Sequence, residues 1–191
     1  MNKDNFFKYQ AQTTPHPLAM EISHAKGSYI FDRNKKKYLD FVAGVSACSL
    51  GHKNPLVINA IKNQLDKYLH VMVYGEYIQI PSVNLCRLIA KFLPKNIEKT
   101  YLTNSGTEAI DGALKLARRH TGRSEIFAAN QGYPGNTIGA LSVMGYEERK
   151  NPFRPLLPDI RFIDFNSMND ITKISSNTAA VLLETIQGGA G

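Results

Sequence analysis

The sequence predicts an α/β protein built around an open, largely parallel sheet. In the second half of the chain, short strand-forming runs alternate with segments of helical periodicity. Glycine, proline or asparagine turns separate them. Such alternation is typical of βαβ units, in which a helix connects two parallel strands. The 191 residues, 43% hydrophobic and 20% charged, are enough for one domain of this kind with a short appendage.

The first part of the chain predicts a β-hairpin. We expect residues 1–26 to be irregular, because they are polar and contain early prolines. Residues 27–32 and 38–41 are strand-forming and flank a polar segment, which is the pattern of two antiparallel strands. The flanked segment holds the basic run 35–37, and the formal net charge is +7. A solvated turn explains this run better than a nucleic-acid partner, which we do not expect, because no stripe of aromatic and basic residues accompanies it.

Two helices are predicted after the hairpin. Asn54 is a favourable N-cap and Pro55 suits the first helical position, so we expect a helix over 54–69. A second helix is expected to begin at Pro81, because leucine, isoleucine and phenylalanine follow at helical spacing.

Beyond Pro94, strands and helices alternate. A helix is predicted over 107–120, with Gly122 as its C-terminal stop. The other predicted elements are strands at 100–103, 125–128, 161–164 and 178–184, and helices at 137–144 and 167–174. Strand 178–184 is apolar and would lie near an open sheet edge if nothing covered it. We therefore expect the protein to continue beyond Gly191.

The segment 103–109, between a strand and a helix, is a candidate anion site. Backbone N–H groups at a helix start, together with the hydroxyls of Ser105 and Thr107, can bind a phosphate. Gly106 would let the backbone approach that phosphate closely. The alternative is a capping box between Ser105 and Glu108, which needs no ligand. The sequences of a P-loop and of a dinucleotide-binding fingerprint are absent here.

Two further candidates follow the next strands. In segment 130–137, Tyr133 lies in a glycine- and proline-containing turn, where its ring could stack on a flat ligand or simply be exposed. Glu184 ends strand 178–184, and its carboxylate is either a site residue or the partner of a helix cap.

Cysteine usage and the N-terminus indicate a cytoplasmic protein. Cys48 and Cys86 do not form a CxxC pair, and two scattered thiols suit a reducing compartment. We expect no metal site, because thiolate clusters and histidine-rich spacings are missing. The polar N-terminus lacks the apolar core of a secretory signal, and the longest apolar runs are too short to cross a bilayer, so no membrane partner is expected.

Several motifs together resemble the class III aminotransferases of the ornithine/acetylornithine type. Residues 104–109, followed by 113–118, resemble the phosphate-loop helix of that family. Residues 38–44 and 50–55 resemble its N-terminal signature, and 184–188 is similar to its E-P-I-Q-G segment. The matches occur in order from about residue 20 to residue 191, which is far more specific than any one motif. The chain is thus identified as the N-terminal portion of a member of this family.

The resemblance implies a fold type I pyridoxal-phosphate-dependent transferase. Residues 1–53 would be an N-terminal segment, comprising the small-domain hairpin and a linker, and 54–191 an incomplete large domain that binds the cofactor. The protein would be a homodimer with shared active sites. The implied cofactor-binding residues are Ser105, Gly106, Thr107, Tyr133 and Glu184, with Tyr133 stacked on the pyridine ring. Val45 and Tyr74 would lie beside the substrate, and His52 would have a structural role.

The sequence departs from the family pattern at positions that bear on the substrate. Pro134 replaces the usual histidine after the stacking aromatic, and Asn136 stands where arginine is common. Thr185 replaces the proline of the E-P-I-Q-G segment, and Gly189 replaces its second glutamate. Val45 stands where ornithine aminotransferase has tyrosine. These departures point away from ornithine and toward another ω-amine or amino acid.

The activity implied by the resemblance is transfer of an amino group from an amino acid or ω-amine to a 2-oxoacid. The family's Schiff-base lysine and the aspartate that pairs with the pyridinium nitrogen would lie beyond Gly191. We therefore assign no catalytic residue within the chain and expect residues 1–191 alone to be inactive. The alternatives are an aminomutase or decarboxylase on the same fold, a non-catalytic phosphate-binding α/β module, and a short protein that pairs with a full-length homologue.

Overall fold

The computed structural model describes residues 2–190, which divide into two compact units with the boundary between Gln79 and Ile80. The predicted boundary after residue 53 concerns the domains of the intact protein and stays a prediction. Among the described residues, no helix combines the length and apolar character needed to span a membrane. The same residues hold no group of three or more histidine, cysteine, aspartate or glutamate side chains placed to bind a metal ion.

The first unit contains a three-stranded antiparallel sheet. Helix α1 (Asn2–Tyr9) precedes the strands β1 (Ile22–Lys26), β2 (Tyr29–Asp32) and β3 (Lys37–Leu39). The sheet order is β1-β2-β3. Tyr29 of β2 lies opposite Lys26 and opposite Leu39. The predicted hairpin is confirmed as β2–β3, and the basic run lies in its turn and at the start of β3.

Helix α2 (Pro55–Leu65) follows a tight loop in the first unit. The Asn54 side chain accepts a hydrogen bond from the Leu56 N–H at 3.0 Å, which confirms the predicted N-cap. The helix ends at Leu65, before the predicted end at residue 69. Upstream of the cap, His52 and Gly27 exchange two backbone hydrogen bonds of 2.8 and 2.9 Å. This bridge joins the start of α2 to the turn between β1 and β2.

The second unit carries a parallel sheet. Its elements are helix α3 (Ile80–Ala90), helix α4 (Gly106–Thr121), strand β4 (Glu125–Ala129), helix α5 (Ile138–Ser142), helix α6 (Glu147–Lys150), strand β5 (Ile160–Ile163) and strand β6 (Thr178–Leu182). Short 3-10 helices cover Asn151–Phe153 and Met168–Lys173. The sheet order is β5-β4-β6, and both pairings are parallel. The predicted α/β architecture with a parallel sheet is confirmed.

The buried core lies in the second unit, around the central strand β4. Ile126 is 0% exposed and Phe127 is 1% exposed. An apolar strand buried on both faces is typical of a parallel sheet. Leu114 of α4 and Val143 complete the cluster around Ile126 and Ala128. Along β6, a groove of about 490 Å³ separates this strand from α4 and is lined mainly by apolar side chains.

Two sequence predictions about elements were wrong. Residues 1–26 were expected to be irregular but include α1 and β1. In α1, Asp4 in the first turn and Lys8 in the last turn match the helix dipole. Residues 100–103 do not form the predicted strand. Within the described part of the second unit, β4 pairs only with β5 and β6, so segment 100–103 has no ladder partner, and strand propensity alone does not make a strand.

Candidate functional site

The N-terminus of α4 is held by side-chain hydrogen bonds. The Ser105 hydroxyl accepts a hydrogen bond from the Glu108 N–H at 3.3 Å and donates one to the Glu108 carboxylate at 3.1 Å. The same carboxylate accepts a hydrogen bond from the Asn104 N–H at 2.8 Å. The capping box between Ser105 and Glu108, predicted from the S-x-x-E spacing, therefore forms. These bonds fix the shape of the helix start and leave its first two N–H groups unused.

Gly106 begins α4 with its backbone accessible. None of the described residues accepts a hydrogen bond from the N–H of Gly106 or of Thr107. A Cβ atom at Gly106 would meet nothing within 4 Å, and φ lies outside the left-handed region. Neither packing nor backbone conformation therefore requires glycine here. Two free N–H groups beside open space fit the phosphate of a cofactor, and they are independent of the capping box.

The loop after β4 packs directly on this helix start. Gly135 has φ +135°, and a Cβ atom there would lie 2.4 Å from the Thr107 Oγ1. The hydroxyls of Thr107 and Thr137 are 2.8 Å apart, and the Thr137 N–H donates to the Thr107 Oγ1 at 3.1 Å. Only glycine fits at 135, where both the backbone and the close approach demand it. The Thr107 side chain thus ties the loop after β4 to α4.

The loop after β6 is tied to the loop after β4. Glu184 accepts a hydrogen bond from the Tyr133 N–H at 3.4 Å and another from the Gly188 N–H at 3.2 Å. The buried side chain of Gln187 donates to the Asn130 carbonyl at 2.7 Å. The three segments that contain the predicted cofactor-binding residues therefore meet at the carboxyl edge of the parallel sheet, where α/β proteins bind ligands.

The ring of Tyr133 lies at this edge, and the side chain is 42% exposed. The Arg149 guanidinium carbon lies 5.6 Å from the centre of that ring and 5.2 Å from the centre of the Tyr146 ring. Tyr133 is thus an accessible aromatic surface with a cation beside it. This arrangement suits a flat ligand that carries negative charge.

Val45 and Tyr74, the predicted substrate-side residues, belong to the first unit. They are 86% and 83% exposed. Val45 has φ +55°, in the left-handed region that a β-branched residue rarely adopts. Such strain is frequent in binding loops. The structure gives no contact that assigns a ligand to either residue, so their role stays a prediction.

His52, also in the first unit, contacts Asp40 rather than an open surface. Its Nε2 lies 2.7 Å from the Asp40 Oδ2. The other oxygen of Asp40 accepts hydrogen bonds from the N–H groups of Val42 and Ala43, at 3.0 and 2.9 Å. The hydrogen bond with His52, followed by that from Ala43, holds the pKa of Asp40 below its ordinary value. These contacts agree with a structural role for His52.

Sequence reasoning missed two residues of the site. Thr137 precedes an apolar helical run, so its position as the residue before a helix was a signal that could have found it. Arg149 carried no such signal. Its contacts with Tyr133 and Tyr146 depend on the path of the chain around α5, which no local pattern shows.

The fold and the site define an α/β protein with an accessible helix start at the carboxyl edge of a parallel sheet, and comparison with known proteins gives the family. Residues 9–191 match the aminotransferase class-III family, and the chain belongs to it. It is 36% identical over 173 residues to the LysW-aminoadipate semialdehyde/glutamate semialdehyde transaminase of Sulfolobus acidocaldarius, covering 90% of this chain and 44% of that one. It is 37% identical to the acetylornithine aminotransferase of Methanopyrus kandleri, covering 87% of this chain and 42% of that one.

Solved structures confirm the fold. The ornithine aminotransferase of Toxoplasma gondii matches 97% of this chain with a TM-score of 0.85 and 30% identity, and the match covers 44% of that protein. That crystal structure has partial occupancy of pyridoxal phosphate at its active site. The predicted family, the fold type I architecture and the family's cofactor are thereby confirmed. The chain spans less than half the length of the curated relatives named above.

Proposed function

We propose that the intact protein is a pyridoxal-phosphate-dependent aminotransferase that moves an amino group from an amino acid or ω-amine to a 2-oxoacid. The observation that carries the proposal is the meeting of three loops at one sheet edge, beside a helix start with two free N–H groups. The similarity to transaminases supports the same reaction class.

The residues of the second unit have the chemistry that the cofactor requires. The N–H groups of Gly106 and Thr107 would donate to its phosphate. The hydroxyls of Ser105 and Thr107 would donate to it as well, in place of their present partners Glu108 and Thr137. When bound, pyridoxal phosphate supplies the electron sink for amino-group transfer. Tyr133 would provide a surface for the ring of the cofactor.

Glu184 would position this surface rather than react. Both of its oxygens accept backbone N–H groups, one from Tyr133 and one from Gly188. Removal of the carboxylate would free the Tyr133 segment and displace its ring. Val45 and Tyr74 would contact the substrate. The proton-transfer lysine would come from the part of the family's sequence that follows the region matched here.

We also propose a cytoplasmic homodimer with shared active sites. Large apolar side chains of the first unit are more than half exposed, among them Phe41 at 90%, Ile78 at 85% and Leu69 at 83%. Exposed apolar residues in this number are typical of a surface that another subunit covers. The two free cysteines, Cys48 and Cys86, agree with a reducing compartment.

The proposal is tested by the absorption spectrum and the products of the full-length protein. We expect a band at about 410–430 nm that an amino donor shifts, together with stoichiometric conversion of a 2-oxoacid to the matching amino acid. A band without amino-group transfer would instead support an aminomutase or a decarboxylase. A protein that binds phosphate but shows no such band would be a non-catalytic binding module.

A further inference from the structure

Arg149 lies close to two aromatic rings at the sheet edge described above. Its guanidinium carbon is 5.6 Å from the Tyr133 ring centre and 5.2 Å from the Tyr146 ring centre. The side chain is exposed, and its position on α6 follows directly from the loop that contains Tyr146. A planar guanidinium stacks well on aromatic faces while its N–H groups stay directed to its edge.

The described residues provide no acceptor for these N–H groups. Among residues 2–190, no aspartate or glutamate oxygen pairs with Arg149, and no hydrogen bond from its side chain is present. Of the carboxylates in the adjoining segments, Glu184 and Glu147 are already engaged, and the exposed Glu148 forms no ion pair with Arg149. Glu184 accepts two backbone N–H groups, and Glu147 pairs with Lys150 and Arg154. The positive charge of Arg149 is therefore held in place but not neutralised by the described residues.

Gly189, in the loop after β6, leaves room for the Tyr146 side chain beside Arg149. A Cβ atom at Gly189 would lie 2.8 Å from the Tyr146 hydroxyl oxygen, so Tyr146 occupies the space that a side chain at 189 would need. Position 189 consequently carries no carboxylate that could approach Arg149. In the loop after β4, Asn136 is also neutral. Arg149 is thus the cation that contacts the Tyr133 ring.

We propose that Arg149 binds a carboxylate of the substrate beside the ring that Tyr133 presents. In the proposed function the cofactor phosphate would lie at the start of α4, so the anion bound by Arg149 would be a different one. A guanidinium that packs against aromatic rings can offer two parallel N–H groups to a carboxylate. This inference rests on the proposed function and specifies its substrate as an acidic amino acid or oxoacid.

Binding of an inert acid to the full-length protein tests this assignment. Calorimetry with glutarate, a dicarboxylate, is compared with glutaramide, its uncharged diamide of the same length. We expect Arg149→Gln to raise the dissociation constant for glutarate at least about tenfold, and Arg149→Lys to recover only part of the affinity because it lacks the planar fork. In Arg149→Gln, the KM for 2-oxoglutarate should rise together with the dissociation constant for glutarate, while kcat changes less than about twofold.

Two further variants separate the role of Arg149 from general charge and from folding. Arg119→Gln removes an exposed arginine from the last turn of α4 and should leave glutarate binding unchanged. Tyr146→Leu keeps the guanidinium but removes one of its two rings, so it should weaken binding to an intermediate degree. If Arg149→Gln were poorly folded, Arg149→Lys and Tyr146→Leu would still decide the question.

The outcomes distinguish this inference from the proposed function. Transamination by the wild-type protein, with glutarate binding equal in Arg149→Gln and Arg119→Gln, would overturn the role of Arg149 alone. Equal affinity of the wild type for glutarate and glutaramide would overturn it as well. Arg149-dependent glutarate binding in a protein without the cofactor band or transamination would overturn the proposed function and leave the carboxylate site standing.

Discussion

Gly106 is a glycine that the folded chain itself does not require, and this makes it a direct probe of the cofactor. A methyl group there would meet no atom of the protein within 4 Å but would stand beside the free N–H groups of α4. We expect Gly106→Ala to leave the free energy of unfolding unchanged or to raise it by about 0.5 kcal/mol. The dissociation constant for pyridoxal phosphate should rise at least about tenfold, as measured by absorbance titration of the apo full-length protein.

Gly112 provides the matched control on the same helix. Its added Cβ atom would make ordinary contact with the Tyr101 ring, at 3.6 and 3.8 Å. Gly112→Ala should therefore stabilise α4 by a similar amount and leave cofactor affinity as it is. Equal affinities of the two variants for pyridoxal phosphate would show that the start of α4 does not hold the cofactor phosphate.

Single residues of the site were predictable where their signal is local. The S-x-x-E spacing of Ser105 and Glu108 predicted the hydrogen bonds that form, and the turn sequence around Tyr133 predicted an accessible ring. The contacts of Thr107 with Thr137 and of Gln187 with Asn130 join residues distant in sequence. Their pairing depends on strand order, which alternation of strands and helices does not specify.

At the scale of elements, Asp40 joins the end of β3 to the loop that leads into α2. Its pKa is held low, chiefly by the hydrogen bond with His52 and then by the Ala43 N–H. Because the folded pKa is below the unfolded value of about 3.9, the stabilising contribution is complete above that value. It is lost as pH falls from there through the folded pKa. We expect urea unfolding to show a stability loss below about pH 4 that is smaller in Asp40→Asn than in the wild type.

The control for this pH dependence is Glu76→Gln in the same unit. Glu76 is exposed and forms no ion pair or side-chain hydrogen bond in the described chain. The stability of Glu76→Gln should therefore depend on pH as that of the wild type does. At neutral pH, Asp40→Asn should be less stable than the wild type, since an amide cannot accept charge-assisted hydrogen bonds. Parallel profiles of the wild type and Asp40→Asn between about pH 3 and 6 would contradict the assignment.

Elements with strong end signals were predicted best. Asn54 with Pro55 correctly placed the start of α2, and Gly122 in the left-handed conformation ends α4 as expected. The elements that were predicted wrongly lack such local signals or have misleading ones. Strand β1 is exposed and polar, so it lacks the alternation that marks a half-buried strand. Segment 100–103 has the composition of a strand, but composition cannot supply a partner.

At the scale of the whole fold, the described residues leave one edge of β6 unpaired, and this determines how a polypeptide of residues 1–191 should behave. Within the described chain, β6 pairs on one side only, and its groove against α4 is apolar. We expect this polypeptide to associate at micromolar concentration, because edge strands and apolar grooves recruit other chains. Sedimentation velocity measures the association.

A charge on the exposed strand is the matched variant. Val181 on β6 is 37% exposed, and Val181→Lys should reduce association, since lysine on an edge strand opposes pairing. Lys62→Gln on α2 would serve as a change of charge away from this strand. A monomeric polypeptide with a cooperative thermal transition would contradict the expectation for the wild-type sequence.

The capping box at the start of α4 has a consequence for the speed of ligand capture. Ser105, Glu108 and the Asn104 N–H already hold the helix start in one shape, so little ordering entropy remains to be lost when an anion arrives. In a preorganised helix start, the conformation that binds the anion is already the populated one. Phosphate capture should then proceed at a rate set by diffusion and charge, and slower steps would belong to whatever closes over the site afterwards.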